Sequence, residues 1–293
     1  MPTLQGKRLF STMKDLPKGS AEHGQRERFA CQSYLHRVVG RGGAIRCASG
    51  SPAARLIGLR HLILKEELMS DLNLGGGIRL PEACKADRAT QVGSTKHFTG
   101  GLVLGDGPGE RHGVESHLEK CAALILNYRP SSLEIRTQVL FKWFDKVGEI
   151  HDHYIDIVTL QVDGAMIGYA VRPKERASDR YIQKLARIKK QAVSQGFLDN
   201  LLLFTEEDVC PVELFNAELF HSVRRPDCFG DPVAQDVVRS IAGVVSVGDL
   251  VEATRLEGMG FRAIVRLICS GHLEMLSYER ISYKTLVFKK KEV

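Results

Sequence analysis

Two β-patterned runs, HYIDIVTLQV (153–162) and MIGYAVRP (166–173), flank Asp163-Gly164. Asp-Gly supplies the positive φ that a two-residue turn needs, so the runs are expected to close as an antiparallel hairpin. A hairpin cannot bury its apolar face alone, and the flanking sequence offers partners. LEIRTQVLFKW (133–143) alternates at Leu133, Ile135, Thr137 and Val139, the period of a strand. VESHLEKCAALILNY, starting at Val114, places Leu118, Cys121, Ala122, Ile125 and Leu126 on one helical stripe, and Arg129-Pro130-Ser131 ends it. SDRYIQKLARIKKQAVSQG predicts a second helix, with Ser178 or Asp179 as N-cap and Gly196 as C-cap. Its apolar face is Ile182, Leu185, Ala186, Ile188 and Val193. A buried strand over Leu201 to Phe204 follows and leads into Thr205 and an acidic loop. The expected fold class is α/β, with a mixed-sheet domain over 113–208.

The ends differ from this middle. Residues 209–293 predict a helix near 231–242, then a helix through VSVGDLVEATRL opened by Ser246 or Asp249. Gly258 and Gly260 are expected to break it before FRAIVRLICSG forms another helix ending at Gly271, and two strands close the chain. Helix, turn, helix and hairpin in that order are the parts of a winged helix. Residues 69–112 are Gly-rich and polar, with Gly75-Gly76-Gly77 and LGDGPGERHG, and read as a loop-like lead-in. Residues 1–68 show no sustained period and read as a disordered or wrongly translated extension, or as a basic arm touching phosphates. Lys65-Glu66-Glu67 is encodable by a purine-rich ribosome-binding sequence, so the natural start is expected at Met69.

Charge narrows the function classes less than its total suggests. The net +6 comes wholly from residues 1–68, which carry +7, while the rest of the chain sums to −1. Any claim of nucleic-acid binding must therefore rest on local patches. Apolar content of 43% with 26% charged residues is that of a soluble globular chain, and no run is long enough to span a membrane. A cytoplasmic location is expected, because no apolar leader core opens the chain. The seven cysteines make no CxxC pair, which disfavours a zinc site.

Asp156 is the residue that bulk packing explains least. It lies mid-strand in IDIV, where a carboxylate costs free energy unless it meets a cation or donors. Ala170 and Arg172 share a face of the partner strand, and Lys174 has the same parity beyond Pro173. Glu119 follows Leu118 on the preceding helix, either aimed at the sheet or as an ordinary exposed helix residue. Two carboxylates with a cation beside them could hold Mg²⁺ or Mn²⁺ against a phosphodiester. His151 and His153 share a strand face but lack a third ligand nearby in sequence, so they read as surface or hydrogen-bonding groups. Trp143 and Phe144 read as core. In the C-terminal part, Arg255, Arg262, Arg266, Lys289, Lys290 and Lys291 could neutralise DNA phosphates, or form a solvated face.

Together, ESHLE (115–119), SLEIRTQ (132–138), YID (154–156), Asp163-Gly164 and VRP (171–173) give an order and spacing that resembles the TnsA-like endonuclease subunit of heteromeric transposases. The resemblance implies a restriction-endonuclease-like domain followed by a winged helix. It implies Glu119 and Asp156 as metal ligands, the Val171 main-chain carbonyl as a third, and Arg172 or Lys174 as the catalytic cation. The family's Gln or Glu falls on Ala170 and its Lys on Arg172, so the pattern holds at two positions and departs at two. The implied activity is Mg²⁺-dependent cleavage of the 5′ strands at transposon ends. The implied partners are DNA, a DDE-type transposase subunit and an AAA+ regulator ATPase. A catalytically impaired DNA-binding and assembly subunit, or a restriction-type nuclease acting alone, are the alternatives.

Overall fold

The computed structural model describes residues 80–90 and 98–290. The expectations for residues 1–68, Met69, the glycines at 75–77 and Lys291 lie outside the described residues. The protein is mixed α/β, with one mixed four-stranded sheet and two smaller sheets. No helix among the described residues is long and apolar enough to cross a membrane.

The central sheet has the order β4-β5-β6-β7. Its strands are β4 (Ser132–Phe144), β5 (Ile150–Gln161), β6 (Met166–Val171) and β7 (Asn200–Phe204). The Asp-Gly turn closes β5 on β6 as expected, with Gly164 at φ +88° and the Ala165 N–H donating to the Asp163 carboxylate. β6 and β7 run parallel, joined through helix α2 (Asp179–Ser194). Ser178 caps α2 by accepting from the Tyr181 N–H, and Gly196 takes the left-handed conformation just past its end. Leu185, Ile188 and Ala192 of α2 pack on one sheet face with Phe141, Trp143, Ile155 and Ala170. Val193, expected on this face, is exposed.

Helix α1 (His117–Tyr128) covers the opposite sheet face. Six consecutive residues, Cys121 to Leu126, are buried, so α1 is enclosed on all sides. Part of that enclosure comes from the segment expected to be a loop. β2 (Gly100–Leu104) and β3 (Glu110–Val114) form an antiparallel hairpin, and Leu102, Leu104 and Val114 enter the α1 core. Val114 is thus the end of a strand, and the helix begins at His117 under a Ser116 cap. The strand period was hidden because glycines occupy five of the positions from 101 to 113 and dilute the alternation. β1 (Glu82–Ala83) pairs with β3, and the ordered core therefore starts well before residue 113.

Helix α3 (Pro211–Ser222) packs on α1, tied by a two-bond ion pair from Arg129 to Glu213. It leads to α4 (Gly230–Ser240), β8 (Val244–Ser246), α5 (Val247–Thr254), α6 (Glu257–Cys269), β9 (Leu273–Met275) and β10 (Leu286–Lys289). The three strands form an antiparallel sheet of order β8-β10-β9. The helix break falls at Arg255, which is left-handed at φ +56°, and not at Gly258 or Gly260. Both glycines lie in the first turn of α6. Gly260 has a packing reason: a Cβ there would come within 2.2 Å of the Thr254 hydroxyl oxygen, so α5 and α6 need its bare backbone.

Candidate functional site

The strand register opens a cleft beside Asp156. β5 pairs with β6 only from Ile157↔Tyr169 to Leu160↔Met166, while β6 continues along β7 to Val171↔Phe204. The two strands therefore part at Asp156. Its carboxylate takes the next rung of the ladder, with Oδ2 accepting from the Val171 N–H at 2.8 Å. A strand residue's N–H and C=O point to the same side, so the Val171 carbonyl faces the same cleft. On the other side of Asp156, Gln138 of β4 donates its amide to Oδ1 at 3.4 Å. Gln138 is 2% exposed and has φ +53°, a left-handed residue inside a strand. That conformation costs about 1–3 kcal/mol for a non-glycine residue and clusters where a site over-determines it.

Glu119 reaches this cleft from the first turn of α1. Its Oε2 accepts from the Glu115 N–H at 2.9 Å and its Oε1 from the Ser116 hydroxyl at 3.1 Å, while Ser116 caps the Glu119 N–H. The residue is thus part of its helix cap, and each oxygen keeps a further lone pair. Arg88 lies beside it, donating to the Gln138 side-chain amide oxygen at 3.0 and 3.2 Å and pairing with Glu115 at 2.8 Å. Sequence reading missed Arg88, Gln138 and Glu115. A signal for Gln138 was present, since Thr137-Gln138 breaks the alternation of β4 with two successive polar residues, both buried.

The electrostatics are those of an acidic cleft short of positive charge. Burial raises the Asp156 carboxyl to about 7, and the Glu119 charge adds to that rise. Burial raises Glu119 as well, against its own helix-cap hydrogen bonds. Arg88 offsets both rises only in part. Two carboxylates brought together this way favour a bound cation.

The other expected site residues lie apart. Ala170 is buried in the cluster of Ile155, Leu185 and Ile188, so this position, where the resemblance expected a ligating side chain, belongs to the core. Arg172 stacks on the Tyr181 ring at 4.3 Å and donates to the Arg176 carbonyl at 2.8 Å. Lys174 is exposed and bonded to Glu207, with its N–H on Glu206 at 2.9 Å. Neither cation is among the groups that shift Asp156, a place Arg88 takes instead. Arg266, expected on a phosphate-facing surface, is turned inward. It bonds Asp231 at 2.8 and 2.5 Å and the Val223 carbonyl at 3.1 Å, because that carbonyl and carboxylate need donors where α4 meets α6. Arg255 and Arg262 are exposed, as is Lys289, and Lys290 pairs with Glu274 at 3.2 Å.

A second cluster sits at the β4–β5 tip. Asp145, Glu149 and His151 bring one ligand atom each within 4.8 Å, a set that could hold a metal ion. His151 therefore has acidic neighbours that spacing did not reveal. Asp145 also secures the turn, accepting from the Val147 and Glu149 N–H groups. Phe144 at this tip is exposed, whereas Trp143 is core as expected. His153 is partly buried, and its Nε2 has no hydrogen-bond partner. Burial and then Lys184 push its pKa down to about 4. The folded chain thus resists the proton that the unfolded chain takes near 6.5, and stability falls as pH drops from about 6.5 toward 4. Replacing His153 with Leu will flatten urea midpoints measured across that window, and an unchanged slope would refute the assignment. No protein-family model matches the chain and a search of curated proteins finds no match, so its reading rests on its own residues.

Proposed function

We propose that the chain is a metal-dependent DNA endonuclease subunit that cuts the 5′ strands at transposon ends. The observation that carries this reading is that Glu119 lies within electrostatic reach of Asp156 where β5 and β6 part, with the Val171 carbonyl on the same cleft. The sheet flanked by α1 and α2 agrees with a restriction-endonuclease-like domain. The order α4, β8, α5, α6, β9, β10 agrees with a winged helix. Motif order and spacing, as described above, support the TnsA-like reading, with a DDE-type transposase and an AAA+ regulator ATPase as partners. A transposase gene and an ATPase gene beside this one would support those partners, and a methyltransferase gene would favour a nuclease acting alone.

The donor set suits a hard divalent ion: oxygens of two carboxylates and a main-chain carbonyl, with lone pairs left over. Bound there, Mg²⁺ or Mn²⁺ would supply Lewis-acid charge and make water at the site more acidic. Glu119 and Asp156 would hold the ion, Gln138 orients the Asp156 carboxylate, and the Arg88 guanidinium, which acts on both carboxylates, could meet a phosphate oxygen.

A second reading has an observation of its own. The side chain at 170 is a core methyl and both expected cations are engaged elsewhere, which favours a catalytically impaired DNA-binding and assembly subunit. Supercoiled plasmid nicking by the full chain in Mn²⁺ and Mg²⁺, beside calorimetric metal titration, separates the two. The endonuclease reading expects nicking that Glu119→Gln reduces by about 100-fold or more. Metal binding without nicking supports the impaired subunit, and no metal binding at all removes both the ion and hydrolysis.

A further inference from the structure

Helix α2 carries a row of cations that nothing among the described residues pairs with. Arg180, Lys184, Arg187 and Lys190 recur at helical spacing along one flank, with Lys184 at the edge of the buried stripe of Leu185, Ile188 and Ala192 and Lys190 turned farthest from it. Arg180, Lys184 and Lys190 are exposed and Arg187 is partly so. Among the described residues none of the four forms an ion pair. Elsewhere most helix cations are paired: Lys120 with Glu218, Arg129 with Glu213, Arg239 with Asp236, Arg266 with Asp231, with Arg262 standing alone on α6. The contrast matters because the chain beyond residue 68 is net −1, so this helix is a local positive field on a nearly neutral body. Lys184 also lies over the Trp143 ring at 5.5 Å, which holds its stem against the sheet.

The position of the row gives it a direction. Tyr181, beside Arg180, lies under the Arg172 guanidinium and within electrostatic reach of Asp156. The row therefore starts next to the acidic cleft and leads away from it. From Arg180 to Lys190 it spans about 15 Å at 1.5 Å per residue, the rise of about four base pairs.

We propose that the outer face of α2 binds the sugar–phosphate backbone of duplex DNA flanking the cleft. This rests on the endonuclease reading for its polyanion, and it moves the main backbone contact from the C-terminal arginines to the central domain. Four lysine and arginine side chains without hydrogen-bond partners of their own recognise charge and not sequence, so binding here is indifferent to base order.

The test measures affinity of the full chain for a duplex of arbitrary sequence across a salt series in EDTA. In the variant Arg180→Gln, Lys184→Gln, Arg187→Gln, Lys190→Gln, affinity is expected to fall by roughly 100-fold or more near 0.1 M salt, and the log–log salt slope by about 3 to 4. A matched variant, Lys142→Gln, Lys146→Gln, Arg239→Gln, Lys284→Gln, removes the same charge elsewhere and is expected to keep the slope. Equal losses in both variants, or an unchanged slope in the first, overturn the proposal. If the fourfold variant melts early, Arg180→Gln with Lys190→Gln is expected to give about half the slope change. Wild-type protein that binds through α2 yet never nicks DNA upholds this inference and defeats the endonuclease reading. Nicking that persists with the α2 variant at unchanged affinity does the reverse.

Discussion

On the endonuclease reading Asp156→Asn is expected to abolish metal-dependent nicking and, whatever the activity, to make the folded protein more stable at pH 8. The sign follows from the raised carboxyl. A folded-state value near 7 against an ordinary 3.8 means the ionised group opposes folding. The opposition is absent below about pH 4, grows as pH rises, and is complete above 7. Three units correspond to about 4 kcal/mol as an upper bound, reduced to about 2 because the side chain is partly open to water. Asparagine keeps an acceptor for the Val171 N–H but turns an amide toward the Gln138 amide, returning about 1 kcal/mol. The net gain is about 1 kcal/mol at pH 8, or roughly 2–4 °C in Tm, shrinking to nothing near pH 5. Added Mg²⁺ is expected to raise the wild-type Tm and leave the variant unmoved. Thermal melts at both pH values, with and without the ion, check each part. A variant that is less stable at pH 8 would show that the carboxylate is satisfied without a cation.

Arg266→Ala is expected to be the most damaging single change in the C-terminal part, costing about 3–5 kcal/mol. The guanidinium is 13% exposed and binds both Asp231 and the Val223 carbonyl. Its removal leaves a largely enclosed carboxylate and a carbonyl with one partner fewer. Arg262→Ala, on the exposed side of the same helix, is expected to cost less than about 0.5 kcal/mol. Urea unfolding of the two variants gives the comparison. Similar midpoints would mean that Asp231 reaches water freely. Arg266→Ala combined with Asp231→Ala should recover part of the loss, since no charge is then stranded.

The central strands and α2 were legible because each carries a period, a cap and a turn signal that agree, as Ser178, Gly196 and Asp163-Gly164 do. The β2–β3 hairpin was not, because glycines erase side-chain alternation while leaving the backbone free to pair. Glu119 and Asp156 were singled out from sequence order, and the structure brings them within electrostatic reach. Arg88 and Gln138 were not found, since they join the cleft from a distant segment and from an irregular strand position that no local period encodes. Arg266 was misjudged for a related reason. Helical spacing gives its angular position on α6 but not that α4 covers that side with Asp231.

The forked strands carry an evolutionary corollary. Asp156 serves as a substitute rung for a main-chain donor as well as a member of the acidic pair. Whether or not a relative hydrolyses anything, it would still need an oxygen at this spot to keep Val171 in place. Drift there should run from aspartate to asparagine before it reaches any apolar residue, and Arg88 should persist with Gln138, whose buried amide oxygen it satisfies.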